Sequence, residues 1–146
     1  MDWKMCNNKD LVKEIKVDRH LINSLIKSSA NKFNSQLLLE LNEETASSKI
    51  SLAYESLRML LEALAISKGY KIYNHECYCA FLKEILNTSR IGDNFDTLRR
   101  IRNSINYYGK EVSTEEAKDI LIKLEQLIDK IKKNDCLKNF IFSFYL

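Results

Sequence analysis

The chain contains no proline and only three glycines, Gly69, Gly92 and Gly109. Sandwiches and barrels need many turns built from these two residue types, so an all-β fold is disfavoured. No segment approaches the roughly 18 consecutive apolar residues of a membrane span, so we expect no membrane partner. The 146 residues are 45% hydrophobic and 29% charged, which is typical of a globular domain. We therefore expect an all-α fold in a single domain.

The four cysteines, Cys6, Cys77, Cys79 and Cys136, are scattered along the chain and do not suggest a disulfide framework. The first residues lack the apolar run of a signal peptide, which points to the reducing cytoplasm. On a helix, Cys77 and Cys79 would point roughly 200° apart, so they cannot easily share a metal ion. We expect buried small side chains at the cysteines, and neither a metal nor a cofactor.

Hydrophobic spacing predicts an up-and-down-type bundle of about five helices. The predicted helices span residues 18–41, 48–68, 74–86 and 95–108, and a fifth begins at 113. Asp18, Asn74 and Ser113 are the predicted N-caps, and Gly69 and Gly109 are predicted to follow helix ends. The second helix is the most apolar and is expected to be central. Residues 1–17 are a polar lead-in, in which a short helix around residues 11–15 is one option, and residues 87–94 are a predicted loop.

We expect residues 1–146 to form one domain with a core at about 18–133. Residues 134–146 form an apolar C-terminal tail. It contains Phe140, Ile141, Phe142, Phe144, Tyr145 and Leu146. An exposed aromatic tail would be an association patch. Packing on its own domain or on a partner subunit is favoured over a membrane.

The predicted fourth helix has the most informative surface. Between Thr97 and Lys110 the chain carries four basic residues and no acidic one. By the 3.6-residue period, an apolar stripe comprises Leu98, Ile101, Ile105 and Tyr108. The adjoining arc of about 100° comprises Arg99, Arg102, Asn103 and Asn106. Because arginine binds phosphate bidentately and stays charged, phosphate or RNA backbone is the usual ligand of such groups. The plainer alternative is a solvated face with surface ion pairs.

Two carboxylates of the predicted second helix, Glu55 and Glu62, lie one heptad apart on one face. An unpaired buried charge is costly, so they should have partners, and Arg99 and Arg102 are the candidates. His75, beside a predicted helix start, is expected to order the connector. It is also a candidate proton acceptor near the fourth helix.

The segment Arg102-Asn103, with Tyr107 five residues after the arginine, resembles the signature of the HEPN family (higher eukaryotes and prokaryotes nucleotide-binding). The ending Asn106-Tyr107-Tyr108-Gly109 looks like an archaeal HEPN-like branch, and the connector at residues 69–76 is similar to that branch's connector. The resemblance covers roughly residues 48–131. It implies a bundle of four or five helices, and either metal-independent RNA cleavage across a dimer groove or service as the toxin partner of a minimal nucleotidyltransferase.

Tyr107 stands where the family has its histidine. Histidine titrates near pH 6.5 and tyrosine near 10, so only ~0.1% of an unperturbed tyrosine is anionic at pH 7. A general base should titrate near the working pH. We therefore predict a homodimeric module that binds RNA, a nucleotide or a nucleotidyltransferase-type antitoxin. The predicted ligand-binding residues are Arg99, Asn103, Asn106 and His75, and the candidate catalytic pair is Arg102 and Tyr107. One alternative is a metal-independent ribonuclease of a toxin–antitoxin system that uses Arg102 with Tyr107 or His75, and another is a structural dimerisation adaptor.

Overall fold

The computed structural model describes the backbone of residues 1–145 and the side chains of residues 1–141. Within that range the chain is mostly helical, as predicted, with seven α-helices, a π-helical segment and one two-stranded sheet. The elements are α1 (Trp3–Asn8), β1 (Val12–Glu14), α2 (Arg19–Leu37), α3 (Ala46–Ser67), β2 (Tyr70–Ile72), α4 (His75–Ala80), the π-helical segment (Phe81–Ile85), α5 (Ser89–Tyr108), α6 (Thr114–Lys132) and α7 (Asp135–Tyr145). The predicted count was about five helices.

Helix α3 lies at the centre of the fold. It packs against α2, α5, α6, α7 and β2. The side chains of Leu57, Leu60, Leu61 and Leu64 are fully buried on it. Burying a leucine contributes roughly 1.5–3 kcal/mol, so this helix supplies much of the packing energy. The prediction that the second predicted helix is central is confirmed.

The helix ends follow local sequence rules. The side chains of Asp18, Asn74 and Ser113 cap α2, α4 and α6 by accepting hydrogen bonds from backbone N–H groups in the first turn. Such a cap contributes about 1 kcal/mol. Gly69 and Gly109, after α3 and α5, have φ angles of +86° and +65°, a region where a side chain is strained. These five predictions are confirmed.

Helix α2 ends at Leu37, so the prediction that it continues to Leu41 was wrong. The cause is Lys49, which is buried on α3. Its ammonium group donates hydrogen bonds to the carbonyl oxygens of Gln36 and Leu39, the latter at 2.6 Å. The Gln36 carbonyl also accepts a 3.2 Å hydrogen bond from the Leu39 N–H, whereas the Leu39 carbonyl, just beyond the helix end, is paired by Lys49. A side chain distant in sequence thus sets where α2 stops.

Helix α5 begins at Ser89, six residues before the predicted start, so the expected loop at residues 87–94 was wrong over most of its length. Gly92, within the predicted loop, lies inside the helix. A Cβ at Gly92 would lie 2.7 Å from the Cγ atom of Lys83 in the π-helical segment. The glycine therefore permits two helical segments to approach closely.

The N-terminal segment is ordered against the bundle. Residues 12–14 form strand β1, not a helix, and pair antiparallel with β2, with Val12 opposite Ile72. The Trp3 ring on α1 packs edge-on against Tyr70, with centroids 5.2 Å apart, and against Phe81 at 6.0 Å. Three residues are too few to show strand periodicity, and the partner strand is distant in sequence.

A disulfide joins Cys6 on α1 to Cys77 on α4, so the expectation of unpaired cysteines was wrong for these two. They are 71 residues apart in sequence but have Cα atoms 6.0 Å apart. Cys79 and Cys136 are free thiols. Disulfides persist mainly in oxidising environments, so this bond does not favour the predicted cytoplasmic location. The location stays a prediction.

The start of the C-terminal tail packs on its own domain. Leu137 is fully buried, and Phe140 and Ile141 pack partly buried against the core. This confirms the expectation for the described part of the tail, while the side chains of the predicted Phe142, Phe144, Tyr145 and Leu146 lie outside the described residues. Over the described chain, none of the helices has the length and apolar character needed to cross a membrane. The buried cluster also includes Cys6 and Leu137, outside the predicted core range of 18–133.

Candidate functional site

Arg102 of α5 lies between two tyrosine rings. Its guanidinium carbon is 5.1 Å from the ring centroid of Tyr54 on α3 and 5.5 Å from that of Tyr107 on its own helix. Its Nη1 donates a 3.3 Å hydrogen bond to the Tyr107 hydroxyl. The Nε atom is buried and has no hydrogen-bond partner. The guanidinium is thus held by two aromatic contacts and one long hydrogen bond to a neutral group.

The carboxylates of α3 are paired within their own helix. Arg58 donates to Glu55 at 2.6 Å and to Glu62 at 2.9 Å. The predicted partners Arg99 and Arg102 were therefore wrong for this pair of glutamates. Positions three and four residues apart on a helix are neighbours, and Arg58 occupies that place for both. Burial opposes the charged form of Glu55, but hydrogen bonds from Arg58 outweigh it and lower its pKa.

Arg99 is paired with Asp96 one turn earlier on α5. Its Nη2 lies 2.8 Å from the Asp96 carboxylate, which also pairs with Arg100 at 3.0 Å. The thiol of Cys79 lies 3.4 Å from the same carboxylate, and burial followed by the Asp96 charge raises the Cys79 pKa to about 12. Asp96 therefore compensates two arginines. Within the described residues, Arg102 has no carboxylate within salt-bridge distance.

His75, at the start of α4, reaches this site through Tyr54. The hydroxyl of Tyr54 and the Nδ1 atom of His75 are 3.1 Å apart, in a hydrogen bond whose direction depends on the tautomer. Burial, followed by the charges of Arg58 and Arg102, lowers the pKa of His75 below 6.5. The imidazole is therefore mainly neutral at pH 7. Burial raises the pKa of Tyr54, which keeps its hydroxyl protonated.

The two predicted asparagines lie on the same helix as Arg102. Asn103 is partly exposed, and the exposed Asn106 accepts a 3.1 Å hydrogen bond from the hydroxyl of Ser51 on α3. Tyr108 was predicted to be in the core, which was wrong, because its side chain is 83% exposed. The last turn of α5 projects beyond the packed part of the bundle, where helical periodicity no longer reports burial.

The structure thus brings together three of the predicted site residues, Arg102, Tyr107 and His75, with Tyr54 between the arginine and the histidine. The charge of Arg99 is compensated by Asp96. Tyr54, which joins the two sides of the site, was not predicted. The available signal was a tyrosine on the apolar face of the central helix, since a buried tyrosine hydroxyl requires a partner.

No family model matches the chain, and no match is found among curated proteins or solved structures. The HEPN resemblance therefore stays a prediction that rests on the motif around Arg102 and the connector before His75.

Proposed function

We propose that this chain is a HEPN-like helical module that binds the phosphate groups of RNA or of a nucleotide through the Arg/Asn face of α5. The observation that carries the proposal is the charge of Arg102. The neighbouring arginines Arg58 and Arg99 each have a carboxylate partner, whereas Arg102 has none within the described chain and keeps a buried, unpaired Nε–H. A partly buried guanidinium without an anion is incompletely compensated, and a phosphate oxygen supplies the missing partner.

The surroundings of Arg102 suit a phosphate ester. Asn103 and Asn106 place amide groups on the same helix, and no acidic residue lies between Thr97 and Lys110 to repel an anion. The nearby His75 and Tyr54 are neutral at pH 7, so they add polar groups without adding negative charge. The carboxylate of Glu55 interacts electrostatically with Arg102 and His75, but it is already paired with Arg58, so an anionic ligand is still favoured at Arg102.

A binding assay with a matched arginine tests this proposal. We would titrate a fluorescein-labelled decauridylate with wild type, Arg102→Ala and Arg90→Ala, in chelator, and follow fluorescence anisotropy. Arg90 is exposed at the start of the same helix and controls for the loss of one positive charge. We expect Arg102→Ala to weaken binding at least tenfold and Arg90→Ala to change it by less than about threefold. Equal affinities for wild type and Arg102→Ala would refute the proposal.

A second candidate function is metal-independent RNA cleavage. It is favoured by the neutral imidazole of His75, which is hydrogen-bonded directly to Tyr54, the buried tyrosine that packs on Arg102. A neutral imidazole can accept the proton of a ribose 2′-hydroxyl as that oxygen attacks the adjacent phosphorus. The bond between phosphorus and the 5′-oxygen breaks, the leaving 5′-oxygen takes a proton from water, and a 2′,3′-cyclic phosphate forms. Products with that end, absent in both Arg102→Ala and His75→Gln, would establish cleavage, whereas bound but intact RNA would exclude it.

A protein partner is the remaining candidate for this face. A nucleotidyltransferase-type antitoxin with a carboxylate or phosphate-bearing surface would also compensate Arg102. Pull-down of such a partner by wild type but not by Arg102→Ala, without RNA binding by either, would favour this form of the module.

Self-association into a homodimer is part of the proposal, and an adaptor role would rest on it alone. The exposed leucines Leu37 and Leu38 at the end of α2 supply an apolar surface, with Leu38 87% exposed. Sedimentation equilibrium of wild type and Leu38→Asp measures the contribution of that surface. We expect a weaker dimer in the variant. A monomeric wild type would count against both the homodimeric module and the dimerisation adaptor.

A further inference from the structure

Tyr107 occupies the place on Arg102 that a ligand would need. Its ring covers one face of the guanidinium with a centroid distance of 5.5 Å, and its hydroxyl accepts the 3.3 Å hydrogen bond from Nη1. The adjacent Nε is buried and unpaired. A guanidinium can bind an oxyanion with two parallel N–H donors, and Nη1 and Nη2 form one such pair. Tyr107 already occupies one donor of that pair.

The two rings beside Arg102 differ in how firmly they are held. Tyr54 is fully buried on α3 and is hydrogen-bonded to His75. Tyr107 is 68% exposed, and its ring and hydroxyl contacts are both with Arg102. It lies in the last turn of α5, before Gly109, where an added Cβ atom would meet no other atom within 4 Å. Tyr107 can therefore swing away without loss of core packing, whereas Tyr54 cannot.

We propose that Tyr107 is a displaceable cover on the oxyanion site of Arg102, and that a phosphomonoester or phosphodiester oxygen takes its place there. The inference rests on the proposed function and adds how access to that site is controlled. A phosphate carries a full negative charge and can accept two parallel hydrogen bonds from a guanidinium, whereas the tyrosine hydroxyl accepts one from Arg102. The ligand therefore outcompetes the tyrosine for the same donors.

The cover lowers the apparent affinity by the fraction of molecules in which it is open. An exposed cation–π contact together with one long hydrogen bond favours the closed form about fivefold. Removal of the cover should therefore tighten binding by about the same factor. A tyrosine that contacts the ligand instead, by stacking on a base or by a hydrogen bond to phosphate, gives the opposite sign on removal. The direction of the change separates the two roles.

The test compares Tyr107→Ala and Tyr107→Phe with Tyr108→Ala, a control at the neighbouring and more exposed tyrosine. Fluorescein-labelled decauridylate is titrated in chelator, and uridine monophosphate is added as a competitor in a second arm. We expect Tyr107→Ala to bind about fivefold tighter than wild type, Tyr107→Phe to lie between the two, and Tyr108→Ala to stay within twofold. A gain with both probes assigns the site to phosphate oxygens in general, and a gain with the oligonucleotide alone assigns it to phosphodiesters.

Two further results keep this inference separate from the proposed function. If Arg102→Ala weakens binding but Tyr107→Ala binds equally well or more weakly than wild type, the cover is refuted and the binding function stands. If Arg102→Ala binds as wild type does, the proposed function is refuted, and the cover with it. The double variant Arg102→Ala/Tyr107→Ala should lose the gain of Tyr107→Ala, because the cover acts only through the arginine.

Discussion

Breaking the disulfide between Cys6 and Cys77 should destabilise the fold by an amount that the structure allows to be worked out. The bond closes a loop with a sequence separation of 71 residues. A loop of that length constrains the unfolded chain by about 4 kcal/mol at 25 °C in the loop-entropy model. For a domain of this size each kcal/mol lowers the melting temperature by roughly 2–4 °C. We therefore expect the reduced protein to melt about 8–16 °C lower than the oxidised protein.

The assay is thermal unfolding followed by far-UV circular dichroism. Both cysteines are fully buried, so reduction requires unfolding in guanidinium with reductant, followed by refolding with reductant present. A Cys6→Ala variant should melt at the same temperature with and without reductant. A Cys136→Ala variant removes a free thiol and should keep the wild-type response to reductant. Equal melting temperatures for oxidised and reduced wild type, or two free thiols at Cys6 and Cys77 by mass spectrometry, would refute the reasoning.

Three other perturbations have defined outcomes. Lys49→Met removes the hydrogen bonds to the end of α2 and leaves the carbonyl of Leu39 without its partner, so we expect it to lose about 1–3 kcal/mol of unfolding free energy in a denaturant titration. The exposed Lys27→Met should lose less than about 0.5 kcal/mol, and an equal loss in both would contradict the capping role. Gly92→Ala should lower the free energy of unfolding by about 1–2 kcal/mol instead of stabilising α5, because the new Cβ would lie 2.7 Å from the Cγ atom of Lys83. A gain in stability would contradict this expectation. Burial and then neighbouring arginines lower the pKa of His75, so the unfolded chain binds more protons there and stability decreases as pH falls below about 6.5. Arg102→Gln should raise that pKa, measured by NMR titration of the imidazole, and an unchanged value would show that the two groups are not coupled.

Features encoded over a few neighbouring residues were predictable from the sequence. The caps at Asp18 and Ser113 depend on a side chain and the backbone three positions later, and Gly69 and Gly109 depend on one backbone angle each. The centrality of α3 follows from its leucines, because the most apolar helix needs the most coverage.

Features that depend on distant residues were missed. The end of α2 depends on Lys49, and the pairing of β1 depends on β2 more than fifty residues later. The disulfide likewise follows from the packing of α1 on α4. The early start of α5 was missed for a related reason, since Gly92 allows a close approach to the π-helical segment that only the tertiary structure shows.

Most residues of the candidate site were predictable from the sequence, but Tyr54 and the pairing of the charged side chains were not. The helical period placed Arg102 on a polar arc, and the motif drew attention to Tyr107 and His75. Neither the helical period nor the motif could show that Arg58 would pair with both glutamates of α3, which leaves Arg102 without a carboxylate. Competition among several arginines for a few carboxylates is decided by short distances, which a sequence does not contain.

The most direct test of phosphate binding at Arg102 is NMR of the arginine Nε–H groups, assigned with Arg102→Lys, during titration with uridine monophosphate and then with decauridylate. The account predicts a saturable shift of the Arg102 resonance. The resonances of Arg58 and Arg99, which already have carboxylate partners, should move little. An Arg102 resonance that stays unchanged with both ligands, or that moves no more than those of Arg58 and Arg99, would contradict the central claim.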